Sequence, residues 1–396
     1  MTWLELAGDT GFGIANLPYG VYSTPGTQPR TGVAIGDQVL DVTAVTGDGV
    51  HATGTLNAFM AQGRTAWSGV RRQLIRWLTD EANAARASDV LTPQDRATLH
   101  LPFEVADYVD FYSSQHHAEN LGAMFRPGSA ALMPNWKHLP VGYHGRAGTV
   151  RVSGTPVVRP SGQRKGPEDE RPSFGPSGRL DIEAEVGFVV GTPSMLGRPV
   201  PLADFAEHVF GVCLVNDWSS RDLQAWEYVP LGPFLGKSFL TSVSPWVVPL
   251  EALEAARVAA PVRDVPLLPY LDDADHPWGL DMELRIELNG HVVSRPPFAG
   301  LYWTAAQQLA HMTANGASLR TGDFYASGTV SGGRKDQRGS LIELSWGGTE
   351  PIELPDGTSR SFLEDGDEVI ISASAPGADG TRISLGPVSG RVVPAG

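Results

Sequence analysis

The sequence predicts a mostly β, α+β fold in two parts, a small N-terminal unit and a larger C-terminal body. Three observations carry that expectation. The chain has 396 residues, more than one ordinary core accommodates. Its 46 glycines and 31 prolines are spread along the whole length, which fits many tight turns between short strands better than a helical bundle. Beyond about residue 105, short β-type runs recur, such as Thr149-Val150-Arg151-Val152-Ser153 and Glu185-Val186-Gly187-Phe188-Val189-Val190.

In chain order, residues 1–100 read as short strands broken by Gly, Pro and Asp, then an amphipathic stretch from Leu56 to Ala87 with apolar residues at helical spacing. The polar segment Ser88–Asp95, with one Pro, marks the neighbourhood of a boundary, giving parts 1–100 and 101–396. Segment 160–178 has loop composition, its charges solvated.

Apolar residues make up 41% and charged residues 19%, the mix of an ordinary globular protein. Asp and Glu number 44 against 30 Lys and Arg, and a formal charge of −14 repels phosphate backbones, so nucleic acid is not an expected partner. Cys213 is the only cysteine and sits in the apolar run Phe210–Val215, which reads as a buried thiol in a reducing compartment. No apolar run approaches the roughly 20 residues of a membrane helix. The first residues lack a basic stretch followed by an apolar one, so a cytoplasmic protein without a membrane partner is expected.

Five segments carry candidate chemistry. In Asp107–His117 an extended aromatic stretch runs into Ser113-Ser114, a pair suited to capping a helix, which brings Asp110, Tyr112 and His117 near one pocket, with His116 directed elsewhere. In Leu180–Val186 strict alternation puts Asp181, Glu183 and Glu185 on one strand face. A solvated face is the commoner outcome of that pattern, while repulsion between neighbouring carboxylates is relieved by a hard divalent cation with further ligands from elsewhere. Val215–Tyr228 reads as a strand entering a helix, with Arg221, Gln224 and Tyr228 on one helix face and Asp217 at the strand end; a surface Arg–Asp pair is the alternative. Gly236-Lys237-Ser238 is not a phosphate loop, since position 231 is Leu and not the required Gly. Lys237 is therefore either a partner for carboxylates or a snorkelling surface residue. Ser327–Gly333 reads as a small flexible loop, and Leu341–Trp346 as an apolar strand interrupted by Glu343, for which a residue on an exposed strand face is the alternative.

Four strings together, Asp107–Ser114, Pro134–Arg146, Asn216–Asp222 and Trp226–Ser238, resemble the fumarylacetoacetase family. The resemblance runs from about residue 100 to the C-terminus, and residues 1–100 are similar to the family's small SH3-like barrel through length and position. It implies an SH3-like barrel followed by a large β-roll or sandwich. It implies calcium held by Asp110, Glu183, Glu185 and Asp217, and magnesium near Asp217, Lys237 and Thr241. His117 is then the base and Glu343 its orienting acid, while Arg221 and Lys237 are polarising cations and Gln224 joins them at the developing oxyanion. Tyr112, Arg126, Gln224, Tyr228 and Thr329 match substrate-contacting positions, and Tyr143 falls in a matching string as a pocket-lining residue. Gln115-His116 departs from the family's Arg-Gln, and 160–178 is not a clear match. The implied activity is cleavage of 4-fumarylacetoacetate to fumarate and acetoacetate, the last step of tyrosine and phenylalanine breakdown, by a homodimer.

Two rival readings stand beside it. Another diketo-acid hydrolase of the superfamily would share the acid-x-acid motif but usually lacks the N-terminal part and the long strings. A non-catalytic calcium-binding scaffold would need neither His117 with Glu343 nor the Lys237 and Arg221 pair.

Overall fold

A computed structural model describes residues 2–6 and 10–396. Near the N-terminus, strands Tyr19–Ser23, Arg30–Ile35, Gln38–Asp41, Leu91–Pro93 and Thr98–His100 form an antiparallel five-stranded sheet. Alternation sends Val21, Val33, Ile35 and Leu40 to one face and Tyr22, Ala34 and Val39 to the other, and both faces are buried. The amphipathic stretch resolves into helices Asn57–Met60 and Arg64–Thr79 and a 3-10 turn, Glu81–Arg86. Trp67, Leu74, Trp77 and Leu78 form the buried stripe of the long helix against the first face. The polar segment 88–95 is not a linker, because Leu91–Pro93 within it is an edge strand paired with Gln38–Asp41.

The larger body is mostly β and, among the described residues, is built on two large sheets, of eight and six strands, with four two-stranded sheets beside them. In the eight-stranded one the path runs Gly142–His144, Tyr108–Phe111, Phe324–Ala326, Ala184–Val190, Val209–Asp217, Thr241–Val243, Val150–Val152, with Val248–Pro249 also on Val209–Asp217. Two of its pairings are parallel: Tyr108–Phe111 with Phe324–Ala326, and Thr241–Val243 with Val150–Val152. The central strands are buried along their whole length. Their near-continuous apolar runs follow from having both faces covered. One face sends Cys213, Val215 and Phe324 into the core shared with the N-terminal unit. The other sends Val186, Phe188, Val212 and Leu214 against Leu284, Ile286 and Ile371 of the six-stranded sheet. Cys213 is thus a core residue, and burial pushes its thiol up, away from reactivity.

Two local expectations are overturned. Segment 160–178 is not a plain loop: Ser161–Arg164 and Ser173–Pro176 pair as a hairpin, and Gly162 packs so closely on Leu223 that a Cβ would lie 2.4 Å from it. Leu341–Leu344 is a short helix, not a strand, with all four residues buried. Four apolar-flanked positions are too few to separate the two periods, and the Asp181 carboxylate fixes the turn by accepting from the amides of Leu341 (2.7 Å) and Ile342 (3.1 Å). Among the described residues, no helix is long and apolar enough to cross a membrane.

Candidate active site and metal centre

The site lies where neighbouring strands of the large sheet end. Asp110 is on Tyr108–Phe111, opposite Ala326 on one side and Tyr143 on the other. Glu185 is on Ala184–Val190, Glu183 just ahead of it, and Asp217 closes Val209–Asp217, opposite Thr241. The four carboxylates are buried, and one oxygen from each lies within 4.8 Å of the others. The solvated strand face is therefore excluded. The expected single face for Asp181, Glu183 and Glu185 does not hold either. The ladder breaks at Ile182–Glu183, where the amide of Ile182 turns back to the Asp181 carboxylate at 2.7 Å, and Asp181 leaves the cluster.

No hydrogen bond reaches either oxygen of Glu185, or Asp110 Oδ1, among the described residues. Burial and the neighbouring acids push the Glu185 and Asp110 carboxyls well above the usual range, and Asp217 is raised mainly by burial. Orphaned, buried carboxylate oxygens are costly unless something positive meets them. An all-oxygen set of this kind fits a hard divalent cation.

Lys237 is buried. Its Nζ donates to Glu183 Oε2 and, at 2.8 Å, to Asp217 Oδ2. Burial pulls the ammonium down, but Asp217 and Glu183 outweigh it and hold the group above its usual range. Lys237 thus supports the acids as a donor and lends them no ligand atom. Thr241 Oγ1 donates to Asp217 Oδ1 at 2.8 Å, and Tyr143 OH reaches Asp217 Oδ2 at 3.4 Å. Arg221 opens the helix Arg221–Glu227; Nη1 meets Glu183 Oε1 at 2.7 Å and Gln224 Oε1 at 3.0 Å. Burial would raise Glu183, yet Lys237, Arg221 and His117 hold it below the usual carboxylate range. Gly236 lets the Lys237 segment rest on that helix, since a Cβ there would lie 2.9 Å from the Gln224 amide. Glu227 pins the same segment by accepting from the amides of Phe234 (2.9 Å) and Gly236 (2.7 Å).

Ser114 caps the helix Gln115–Phe125, accepting from the His117 amide at 3.2 Å, while His116 is exposed. His117 Nδ1 lies 2.7 Å from Glu343 Oε2, and Nε2 is 4.0 Å from Glu183 Oε1. Asn120, Ser331 and Ser340 also donate to Glu343, at 2.9, 2.9 and 2.7 Å. Burial opposes the charge, but His117 and these donors hold the Glu343 carboxyl down to about 2. An ionised Glu343 fixes the proton on Nδ1 and leaves Nε2 as the basic nitrogen.

A cavity of about 350 Å³ joins these groups. Asp110, Tyr112, His117, Arg126, Tyr143, Glu183, Gln224, Tyr228, Lys237 and Thr329 line it. Arg126 Nε and Thr329 Oγ1 are buried without hydrogen-bond partners among the described residues. Gly328 brings Thr329 there: its φ of +76° suits Gly, and a Cβ would lie 2.2 Å from the Phe111 carbonyl oxygen. Glu185, Asp217, Thr241, Arg221 and Glu343 are not part of its lining, and Asp217 and Thr241 open instead, with Lys237 and Tyr143, on a cavity of about 170 Å³. Asn120, Ser331, Ser340 and Glu227 were not foreseen. Asn120 alone carried a signal, since it lies one helical turn after His117.

Two family profiles cover the chain: "Fumarylacetoacetase N-terminal" matches residues 15–102 and "Fumarylacetoacetate (FAA) hydrolase C-terminal" matches 107–393. The chain belongs to the fumarylacetoacetase family. It is 49% identical to the fumarylacetoacetase of Homo sapiens over 419 residues, covering 100% of this chain and 99% of that one. The fumarylacetoacetase of Arabidopsis thaliana is 43% identical over 415 residues, covering 99% and 98%. Among solved structures, a fumarylacetoacetate hydrolase from Exiguobacterium antarcticum superposes with a TM-score of 0.57 at 17% identity, covering 96% of this chain and 99% of that one. A maleylpyruvate hydrolase from Sphingobium sp. SYK-6 gives 0.53 at 16%, covering 96% and 100%. Those two likenesses speak for the fold alone. The fumarylacetoacetase family is one of hydrolases, and this chain is an enzyme of that class with a mostly β fold.

Proposed function

We propose that the chain hydrolyses the carbon–carbon bond of 4-fumarylacetoacetate, giving fumarate and acetoacetate. The observation that carries the reading is the His117–Glu343 pair, set beside a buried four-carboxylate cluster of which Asp110 and Glu183 line the same cavity as His117. A divalent cation held by Asp110, Glu183, Glu185 and Asp217 would supply the positive charge that orients and polarises the diketone oxygens. We assign calcium to that cage and magnesium to the neighbourhood of Asp217, Lys237 and Thr241.

His117 Nε2 takes a proton from water as the water oxygen adds to the carbonyl carbon, and Glu343 stabilises the imidazolium that forms. The carbon–carbon bond then breaks, the departing carbon keeps the electron pair, and the proton held on His117 passes to it, which restores the neutral imidazole. Lys237 and Gln224 line the cavity and meet the developing negative oxygen, and Arg221 adds its charge from behind through Gln224 and Glu183. Arg126, whose buried Nε has no hydrogen-bond partner among the described residues, pairs with a substrate carboxylate; Tyr112, Tyr143, Tyr228 and Thr329 complete the walls. The proposal extends to parts 1–100 and 101–396, and to a cytoplasmic homodimer acting last in tyrosine and phenylalanine breakdown, on the strength of the family.

The test is loss of fumarylacetoacetate absorbance on incubation with the protein, with and without chelator. Turnover abolished by chelator and restored by calcium is expected; no turnover with calcium bound would overturn the reading.

A further inference from the structure

We infer that Asp181 is a positioning residue for the reaction, one that holds Arg221 and the helix bearing Glu343 in register with each other. The inference rests on the hydrolytic reading above. Asp181 is fully buried and stands outside the metal-facing cluster, although it belongs to the same acid-x-acid-x-acid string. Four donors converge on its two oxygens. Oδ1 accepts from the amides of Ile182 and Leu341, both at 2.7 Å. Oδ2 accepts from Arg221 Nε at 2.7 Å and the Ile342 amide at 3.1 Å.

Three of the four donors belong to a working part. Arg221 carries on to Glu183 and Gln224 through Nη1, so the carboxylate that fixes Nε also sets the direction of the whole guanidinium. Leu341 and Ile342 open the short helix whose next residue, Glu343, holds His117. The charged arm and the base are therefore tied to one carboxylate. Only an acceptor-only group serves four donors. In Asn one oxygen becomes an NH₂, so in either orientation two donors face a donor, and Arg221 also loses its charge partner.

The experiment measures kcat, KM, thermal melting and calcium binding for the parent, Asp181→Asn, Arg221→Gln and the double variant, with fumarylacetoacetate as substrate. Asp181→Asn is expected to keep calcium affinity and KM within about threefold and to lower kcat roughly 30- to 100-fold. In the Arg221→Gln background the same change is expected to cost several-fold less than in the parent, because the arm it aims is gone and only the Glu343 helix is left to disturb. Parental kcat in Asp181→Asn, or an undiminished loss in the Arg221→Gln background, overturns the role. Should Asp181→Asn fail to fold, Asp181→Glu decides, since it keeps the charge but displaces the carboxylate: reduced kcat with parental calcium binding supports the role, and parental kcat overturns it. A parent without turnover overturns the hydrolytic reading and this inference with it, whereas an active parent beside an unimpaired variant overturns Asp181 alone.

Discussion

Glu185 and Glu343 are both wholly buried, but among the described residues no hydrogen bond reaches either oxygen of the first, while His117, Asn120, Ser331 and Ser340 all meet the second. Their acidities part accordingly: Glu185 is pushed well up, and Glu343 is held down to about 2. A carboxylate surrounded by donors keeps its charge without outside help and can orient a neighbour. One surrounded by other acids keeps its charge only when a cation arrives. On the proposed function the contrast separates two tasks: the cluster around Glu185 is suited to holding a cation, and the shell around Glu343 to orienting His117 as the base.

Removing the base should have the largest effect. His117→Ala is expected to lower kcat by roughly 10³-fold, within the range for a lost general base, with calcium affinity unchanged. Steady-state kinetics and calorimetry check this, and near-normal turnover would break the assignment. Glu185→Gln is expected to weaken calcium binding on the order of 100-fold, at least the loss seen when a partner of a metal ligand is removed. Melting curves sharpen it: calcium should raise the parent's midpoint by mass action and leave the variant's nearly unmoved, and the two should converge in chelator. Equal calcium shifts would show that Glu185 is no ligand.

The smallest effect is expected at Asn120. Glu343 is held below its ordinary value of 4.5, so its contribution to stability is fully present above that pH and is lost as pH falls towards about 2. Asn120→Ala removes one of the donors that lower it, so acid unfolding should begin at a higher pH, with kcat near neutrality falling only a few-fold. An unchanged acid transition would mean that Asn120 does not tune Glu343.

The sequence made the acids visible and hid their division. Alternation in Leu180–Val186 points to three carboxylates in a row, but a break in strand register is a backbone event that side-chain pattern does not encode, so Asp181 could not be told from Glu183. Glu343 was legible as an acid among apolar neighbours, yet its helix depends on amide bonds to Asp181, far away in the chain. Likewise, Ser161–Arg164 and Ser173–Pro176 carry polar, Gly- and Pro-containing sequence that reads as loop, and pairing with each other and packing on Leu223 overrides it. The mostly β body was legible because Val186–Val190 and Val209–Val215 are apolar at consecutive positions and short, the pattern of a strand covered on both faces. Ser331 and Ser340, common residue types without spacing of their own, gave no hint of their place on Glu343.

The parallel pairing of Tyr108–Phe111 with Phe324–Ala326 has a consequence for how the enzyme is born. All four acids of the cage belong to the part of the chain that a ribosome delivers first, yet the strand holding Asp110 is seated against Ala326, and the proton acceptor is oriented by Glu343, both made much later. An emerging chain therefore carries repelling carboxylates without the neighbour that aligns them. The strand Gly142–His144 can already lie beside Asp110 at that stage, so what waits for the end of synthesis is the Ala326 edge and the Glu343 contact to His117.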